Sequence, residues 1–243
     1  MIKYGFPSLD KSFGGMNPGD VIVVSGRRGS GNVHFGHQLA LNAIETGKKV
    51  LLYSGDTTPA GNYQNISKQI AVNADLEHKK WSGLTANESA NEAIKRWITG
   101  KFWILDYEYS IDEVMSYSKE KCDVLVLDYP FAKRLEDTFT NDYIVEKMKE
   151  IKKFAVDNNI VVIIAKNQIP KMNGAYANDA YDVLYEDAAD VFISMADPFE
   201  DRKMIFNDKQ GVEHAVRLEF DIERCVFWEK DRSEAPAYSY KCA

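Results

Sequence analysis

Eight residues constrain this chain more than any others: Gly26-Arg27-Arg28-Gly29-Ser30-Gly31-Asn32-Val33. They follow the apolar run Val21-Ile22-Val23-Val24-Ser25 and open a segment with helical spacing, 32 to about 45. Strand, glycine loop and helix form the setting that a phosphate-binding loop requires. The glycines let the backbone curl so that successive N–H groups point inward, and the helix N-terminus adds the positive end of its dipole. The spacing G-x-x-x-x-G is kept, but the two positions that carry chemistry depart from it. Asn32 stands where the motif calls for Lys, and Val33 where it calls for Ser or Thr.

The length of 243 residues suits one α/β domain, expected over 1–230, with a polar tail over 231–243. A formal charge of -7 argues against a protein coated in nucleic acid or anionic lipid, although a local basic loop remains open. Cys122, Cys225 and Cys242 form no C-x-x-C pair, which fits a reducing compartment. Neither a signal-length apolar region nor a membrane span is legible, so a cytoplasmic protein away from membranes is expected.

Upstream of the loop, Leu9 and Phe13 are four apart, as on one face of a short helix ended by Gly14-Gly15. Asn17-Pro18-Gly19-Asp20 is a turn that delivers the chain into the strand. Together, Gly5-Phe6-Pro7-Ser8-Leu9-Asp10, Gly14-Gly15-Met16, Pro18-Gly19-Asp20, the apolar strand and the glycine loop resemble the RecA-like ATPase core. The resemblance is strongest to DnaB-type replicative helicases and their KaiC-like relatives, and it covers nearly the whole chain.

Beyond the loop, strands and helices alternate. Leu39, Ala40, Ala43 and Ile44 make a helical stripe, with Gly47 as its cap. Strands are expected at 50–53, 102–106, 122–127, 160–165 and 190–195, and helices at 62–74, 87–97, 111–118 and 140–158. Such a series predicts a mostly parallel sheet flanked by crossover helices. After 203 the pattern turns antiparallel: Lys203-Met204-Ile205-Phe206, a turn around Gly211, then alternation from Ala215 to Phe220. The fold class expected is therefore α/β and RecA-like, ending in an antiparallel hairpin.

The resemblance assigns candidate site residues. Asp56, after the strand at 50–53, occupies the position of a Glu that helps to activate water, but its carboxylate is set back by about 1.5 Å, one C–C bond. Asp128, closing Val124-Leu125-Val126-Leu127, fits a Walker B carboxylate that orders magnesium through water; a turn-capping Asp is the plain alternative. Gln168 matches a γ-phosphate sensor, with an exposed polar residue past a strand as the alternative. Aligned on Gly211, Asn207 replaces the family's Lys and Lys209 its Arg finger, and Lys lacks the planar fork of Arg. Lys133, Arg134 and Lys171 fall in loops that contact DNA in the family, or are simply solvated. His34 and His37, three apart, are read as exposed helix residues rather than metal ligands, and Val33 as packing inward. Trp81, Trp97, Trp103 and Trp228 are read as packing residues.

The ligand implied by the resemblance is ATP with magnesium. The partners implied are a helicase, recombinase or other replication protein, single-stranded DNA, and further copies of the chain. Losing one aimed electrostatic donor costs ~10²–10³ in rate, and three parts are altered here: the Lys, the hydroxyl and the Arg finger. The expected function is a hydrolysis-deficient helicase-core homologue that binds, assembles or regulates. Two alternatives stay open: an active helicase or recombinase using Arg27 or Arg28 on the phosphates, and a protein that binds nucleotide without cutting it.

Overall fold

The computed structural model describes residues 1–70, 99–105, 107–131, 141–168, 184–195, 202–221 and 225–230. The expected helix at 87–97, Trp81, Trp97, Lys133, Arg134, Lys171 and the expected tail at 231–243 lie outside the described residues.

Nine strands form one sheet: β1 (Val21–Gly26), β2 (Val50–Ser54), β3 (Phe102–Leu105), β4 (Val124–Asp128), β5 (Val161–Asn167), β6 (Val191–Met195), β7 (Lys203–Asn207), β8 (Glu213–Asp221) and β9 (Val226–Glu229). Their order is β3-β2-β4-β5-β1-β6-β7-β8-β9. From β3 to β6 neighbours pair parallel; β6 to β9 pair antiparallel. The expected α/β, RecA-like architecture with an antiparallel C-terminal part is what forms.

The sequence dictates the central strands. β1, β4 and β5 are nearly continuous runs of Val, Ile and Leu, the composition of strands covered on both faces. On one face Ile22, Val24, Val126 and Ile163 pack beneath α1 (Pro7–Phe13), α2 (Asn32–Glu45) and α3 (Pro59–Ile70). On the other, Val21, Val23, Leu125 and Ile164 meet α4 (Ile111–Ser118) and α5 (Asn141–Asn158). Each such side chain, fully buried, contributes about 1.5–3 kcal/mol.

Local signals set most helix ends. Gly47, at φ +81°, closes α2: its N–H reaches the Ile44 carbonyl and the next N–H, of Lys48, reaches Ala43. Ser110 caps α4 by accepting from the Glu113 N–H while the Glu113 carboxylate accepts from the Ser110 N–H. α3 starts at Pro59 rather than near 62, because Thr58 accepts from the Gly61 N–H at 3.2 Å and Pro suits a first helical position. β5 runs on to Asn167, two residues past the expected end, since Lys166 and Asn167 pair with Ser25 and Gly26. β9 is not legible as a strand in the sequence; it pairs Phe220 with Phe227 at the end of the antiparallel ribbon.

Candidate functional site

The carboxyl ends of β1, β2, β4 and β5 form one edge, where ligands of open α/β sheets bind. The loop after β1 lies at this edge. Gly29 and Gly31 take φ +89° and +87°, a region that favours glycine, and the Ser30 N–H closes a turn onto the Arg27 carbonyl. Space around Gly26 is full, because a Cβ there would lie 2.2 Å from the Ser30 hydroxyl. Space around Gly29 is open, with nothing within 4 Å of the corresponding point. Ser30 is buried, Arg27 half-buried, and Arg28 and Gly29 exposed.

Asn32 turns inward. Its side chain is buried, and its Nδ2 donates to the Lys166 carbonyl on β5 at 2.7 Å. Its Oδ1 lies 3.4 Å from the Ser30 hydroxyl, and the same amide also engages the Tyr129 hydroxyl. Val33, expected to pack inward, is only half-buried; Asn32 has taken the inward position. The buried amide donates to a carbonyl that β5 presents there, a bond that valine cannot make.

Asp128 is 1% exposed. Its Oδ2 accepts from the Ser54 hydroxyl at 3.1 Å, the pair that β2–β4 register brings side by side. Its Oδ1 has no hydrogen-bond partner among the described residues. Burial, followed by the charge of Asp56, pushes the carboxyl up to about 8, with the Ser54 bond opposing. Asp56 itself is exposed and accepts from the Thr57 hydroxyl at 2.9 Å. Tyr129 follows Asp128 with φ +48°, unusual for a non-glycine residue, and its hydroxyl donates to Asn167. Burial raises that phenol, and the two aspartates add to the rise.

Gln168 sits at the same edge, where its N–H donates to the Gly26 carbonyl at 2.8 Å. The structure thus brings Gly26, Ser30, Asn32, Asp128 and Gln168 to one edge of the sheet. Lys209 lies elsewhere: its ammonium donates to the Phe13 carbonyl at 3.2 Å, folding the hairpin tip onto α1 of its own chain. Asp208 beside it accepts from the Gln210 and Val212 N–H groups and pairs with His214 at 2.8 Å.

The histidines correct an expectation. His37 is fully buried, with neither ring nitrogen hydrogen-bonded among the described residues, and His34 is half-buried with Nδ1 enclosed. α2 is covered on nearly all sides, by the sheet, α3 and β9, so no exposed face remains at these positions. Burial lowers His34 to about 4, helped by Lys68, and His37 to about 3, helped by His34. No set of three metal-ligating side chains occurs among the described residues. No described helix is long and apolar enough to cross a membrane.

Sequence reasoning misses Ser54, Tyr129, Asn167 and Lys166 as neighbours of the site. Asn167, adjacent to Gln168, and the Tyr-Pro step after Asp128 are the available signals.

For a phosphate, the backbone of the loop fits: two left-handed glycines at a helix N-terminus and open space over Gly29. For magnesium the fit is partial. Asp128 offers an unpartnered oxygen, but Val33 supplies no hydroxyl.

No curated protein matches the chain. The fold is similar to a solved ATPase domain, with a TM-score of 0.73 and 17% identity over 93% of this chain and 90% of that one. It is also similar to a DnaB-like replicative helicase, solved with its interactions with primase, at a TM-score of 0.72 and 15% identity. That match covers 93% of this chain but 61% of the helicase, so the chain spans less than two thirds of it. The family model of the DnaB-like helicase C-terminal domain matches residues 1–175. With the RecA-like sheet and the loop at its carboxyl edge, that match identifies the chain as a member of the DnaB-like helicase C-terminal domain family.

Proposed function

We propose that this chain is a hydrolysis-deficient DnaB-like helicase core that acts as a binding, assembly or regulatory factor in DNA replication. One observation carries the reading. At the position where the loop would present a lysine, Asn32 carries no charge and its side-chain amide is committed to the Lys166 carbonyl. It has no cation to follow charge onto a γ-phosphate.

Three further features support it. Val33 offers no hydroxyl for a metal. Burial pushes the Asp128 carboxyl up to about 8, which weakens it as an anion near neutral pH. Lys209, in the finger position, is bonded within its own chain. Effects inside one constellation do not add, but every altered part weakens the same step.

Turnover of ATP with magnesium, with and without single-stranded DNA, tests this. The expected rate stays at background and is indifferent to Asp128→Ala. Turnover well above background and abolished by Asp128→Ala would sink the reading in favour of an active helicase or recombinase, with Arg27 or Arg28 as the substitute cation.

A second reading, nucleotide bound but uncut, is favoured by the unpartnered Asp128 oxygen and the open space over Gly29. In it the loop backbone would hold the phosphates, Asp128 would be the residue to hold magnesium, and Gln168 would lie on the side of the terminal phosphate. Magnesium, when bound, supplies neutralisation of the phosphate oxygens. Calorimetric titration with ATP and magnesium decides it: saturable binding supports it, and no heat of binding removes it. For partners, membership of the family favours a replication protein or further copies of this chain.

A further inference from the structure

We propose that the antiparallel ribbon β8–β9 is a working part of the phosphate-binding loop, with Phe227 as the positioning residue that holds Gly31 left-handed. The seating of the ribbon and the shape of the loop are then one equilibrium. The proposal rests on the reading of this loop as a phosphate cradle.

Gly31 is the N-cap of α2, at φ +87°. A Cβ built there would lie 2.4 Å from Cζ and 3.0 Å from Cε2 of Phe227. The ring therefore sits directly against the glycine, and it is fully buried. It is wedged between Phe220, stacked at 4.3 Å, and Phe35, edge-on at 5.8 Å. Phe6 stacks on Phe35 at 4.5 Å, so an aromatic column runs from α1 to the ribbon past the start of α2.

The ribbon is fastened to the loop's helix by side chains as well as by strand pairing. Gln38, one turn and a half into α2, donates to the Phe227 carbonyl at 2.7 Å and accepts from the Phe227 N–H at 2.8 Å. Gln69 of α3 donates both to the His34 carbonyl at 2.8 Å and to the Cys225 carbonyl at 2.7 Å. Glu229 accepts from the Ser8 N–H at 2.8 Å and the Ser8 hydroxyl at 2.9 Å, at the start of α1. β9 has four residues and among the described residues pairs only with β8, so sheet bonds alone hold it weakly. Three buried polar side chains hold it at one place, with Phe227 on Gly31.

Glycine visits positive and negative φ with similar ease, so a loop that keeps Gly31 at φ +87° gains from an outside constraint. Phe227 is that constraint. By linkage, an anion that needs this shape of the loop must favour the seated ribbon to the same degree.

Hydrogen exchange of the ligand-free protein reads this directly. Phe227→Ala, and separately Glu229→Ala, which loosens β9 without touching the ring, are expected to speed exchange of the amides at 29–33. The expected gain is about tenfold or more, while β4 and β5 amides keep their protection. Unchanged loop exchange in Glu229→Ala despite faster exchange at 226–229, or an equal gain in β5, would overturn the proposal; should Phe227→Ala fail to fold, Glu229→Ala alone decides. Titrating wild type with ADP separates the two ideas. Protection gained at both 29–33 and 226–229 supports coupling, and protection at 29–33 alone counts against it. Failure of ADP to bind would count against the cradle reading, with the ligand-free comparison still deciding the coupling.

Discussion

The loop after β1 and the end of β4 meet at one edge of the sheet, yet their polar groups are in opposite states. In the loop, the Asn32 amide donates to the Lys166 carbonyl. At the end of β4, Asp128 keeps one oxygen without a partner among the described residues. The loop's amide is satisfied from β5, whereas the β4 carboxyl is only half satisfied. A buried carboxylate with no cation beside it is costly and answers by holding its proton. Asp128, raised to about 8, does that. The comparison separates a polar side chain satisfied by its neighbours from one that is only half satisfied.

The largest effect expected from breaking this contrast is on pH dependence. Asp128 binds its proton more tightly folded than unfolded. Its contribution to stability is therefore complete below about pH 4 and is lost as pH rises towards about 8. Asp128→Asn is expected to remove a slope of up to about 1.4 kcal/mol per pH unit across that window. Urea melts at several pH values read it; a slope identical in wild type and variant would show that Asp128 titrates normally. Next, Asn32→Ala removes the bond to the Lys166 carbonyl and is expected to destabilise by about 0.5–1.5 kcal/mol, measured by the same melts at fixed pH. No loss would mean that the loop is not closed by this bond.

Two smaller tests sharpen the contrast by using groups away from the edge. His37 and His34 have depressed affinity for protons when folded, so they favour the folded state above about pH 6.5 and lose that contribution as pH falls towards about 3 and 4, respectively. Together with Asp128 they place a stability maximum at roughly pH 6.5. His37→Leu is expected to flatten the acid limb and to gain about 1 kcal/mol at neutral pH by removing an orphaned imidazole. An unchanged acid limb would exclude His37 as its source. Lys209→Ala, on an exposed side chain bonded to the Phe13 carbonyl, is expected to shift the thermal midpoint least of the four. A large loss would make the hairpin tip a structural clasp of α1.

Much of the architecture is legible because it is written locally. β1, β4 and β5 are apolar runs of strand length, Gly47 and the Ser110–Glu113 pair mark helix ends, and the loop glycines fall where positive φ is needed. Asp128 and Gln168 are legible as residues at strand ends, and both lie at the carboxyl edge of the sheet. α3 begins early because Thr58-Pro59 is a start signal weaker than the stripe that follows it. β9 escapes notice because four residues carry too little pattern to separate a strand from a loop. The histidines mislead because α2 is enclosed on nearly all sides, and polar residues in its sequence look like an exposed face.

The sequence alone determined that a parallel sheet would form, that a glycine loop would sit at its edge, and that neither lysine nor hydroxyl would follow the loop. These depend on residue type and near neighbours. Tertiary structure decided what Asn32 bonds to, 134 residues away, and what presses on Gly31, because Gln38 and Phe227 are 189 residues apart and Ser8 and Glu229 are 221. Such partners are chosen when the sheet closes and buried polar groups must find each other, and spacing along the chain carries no record of that choice.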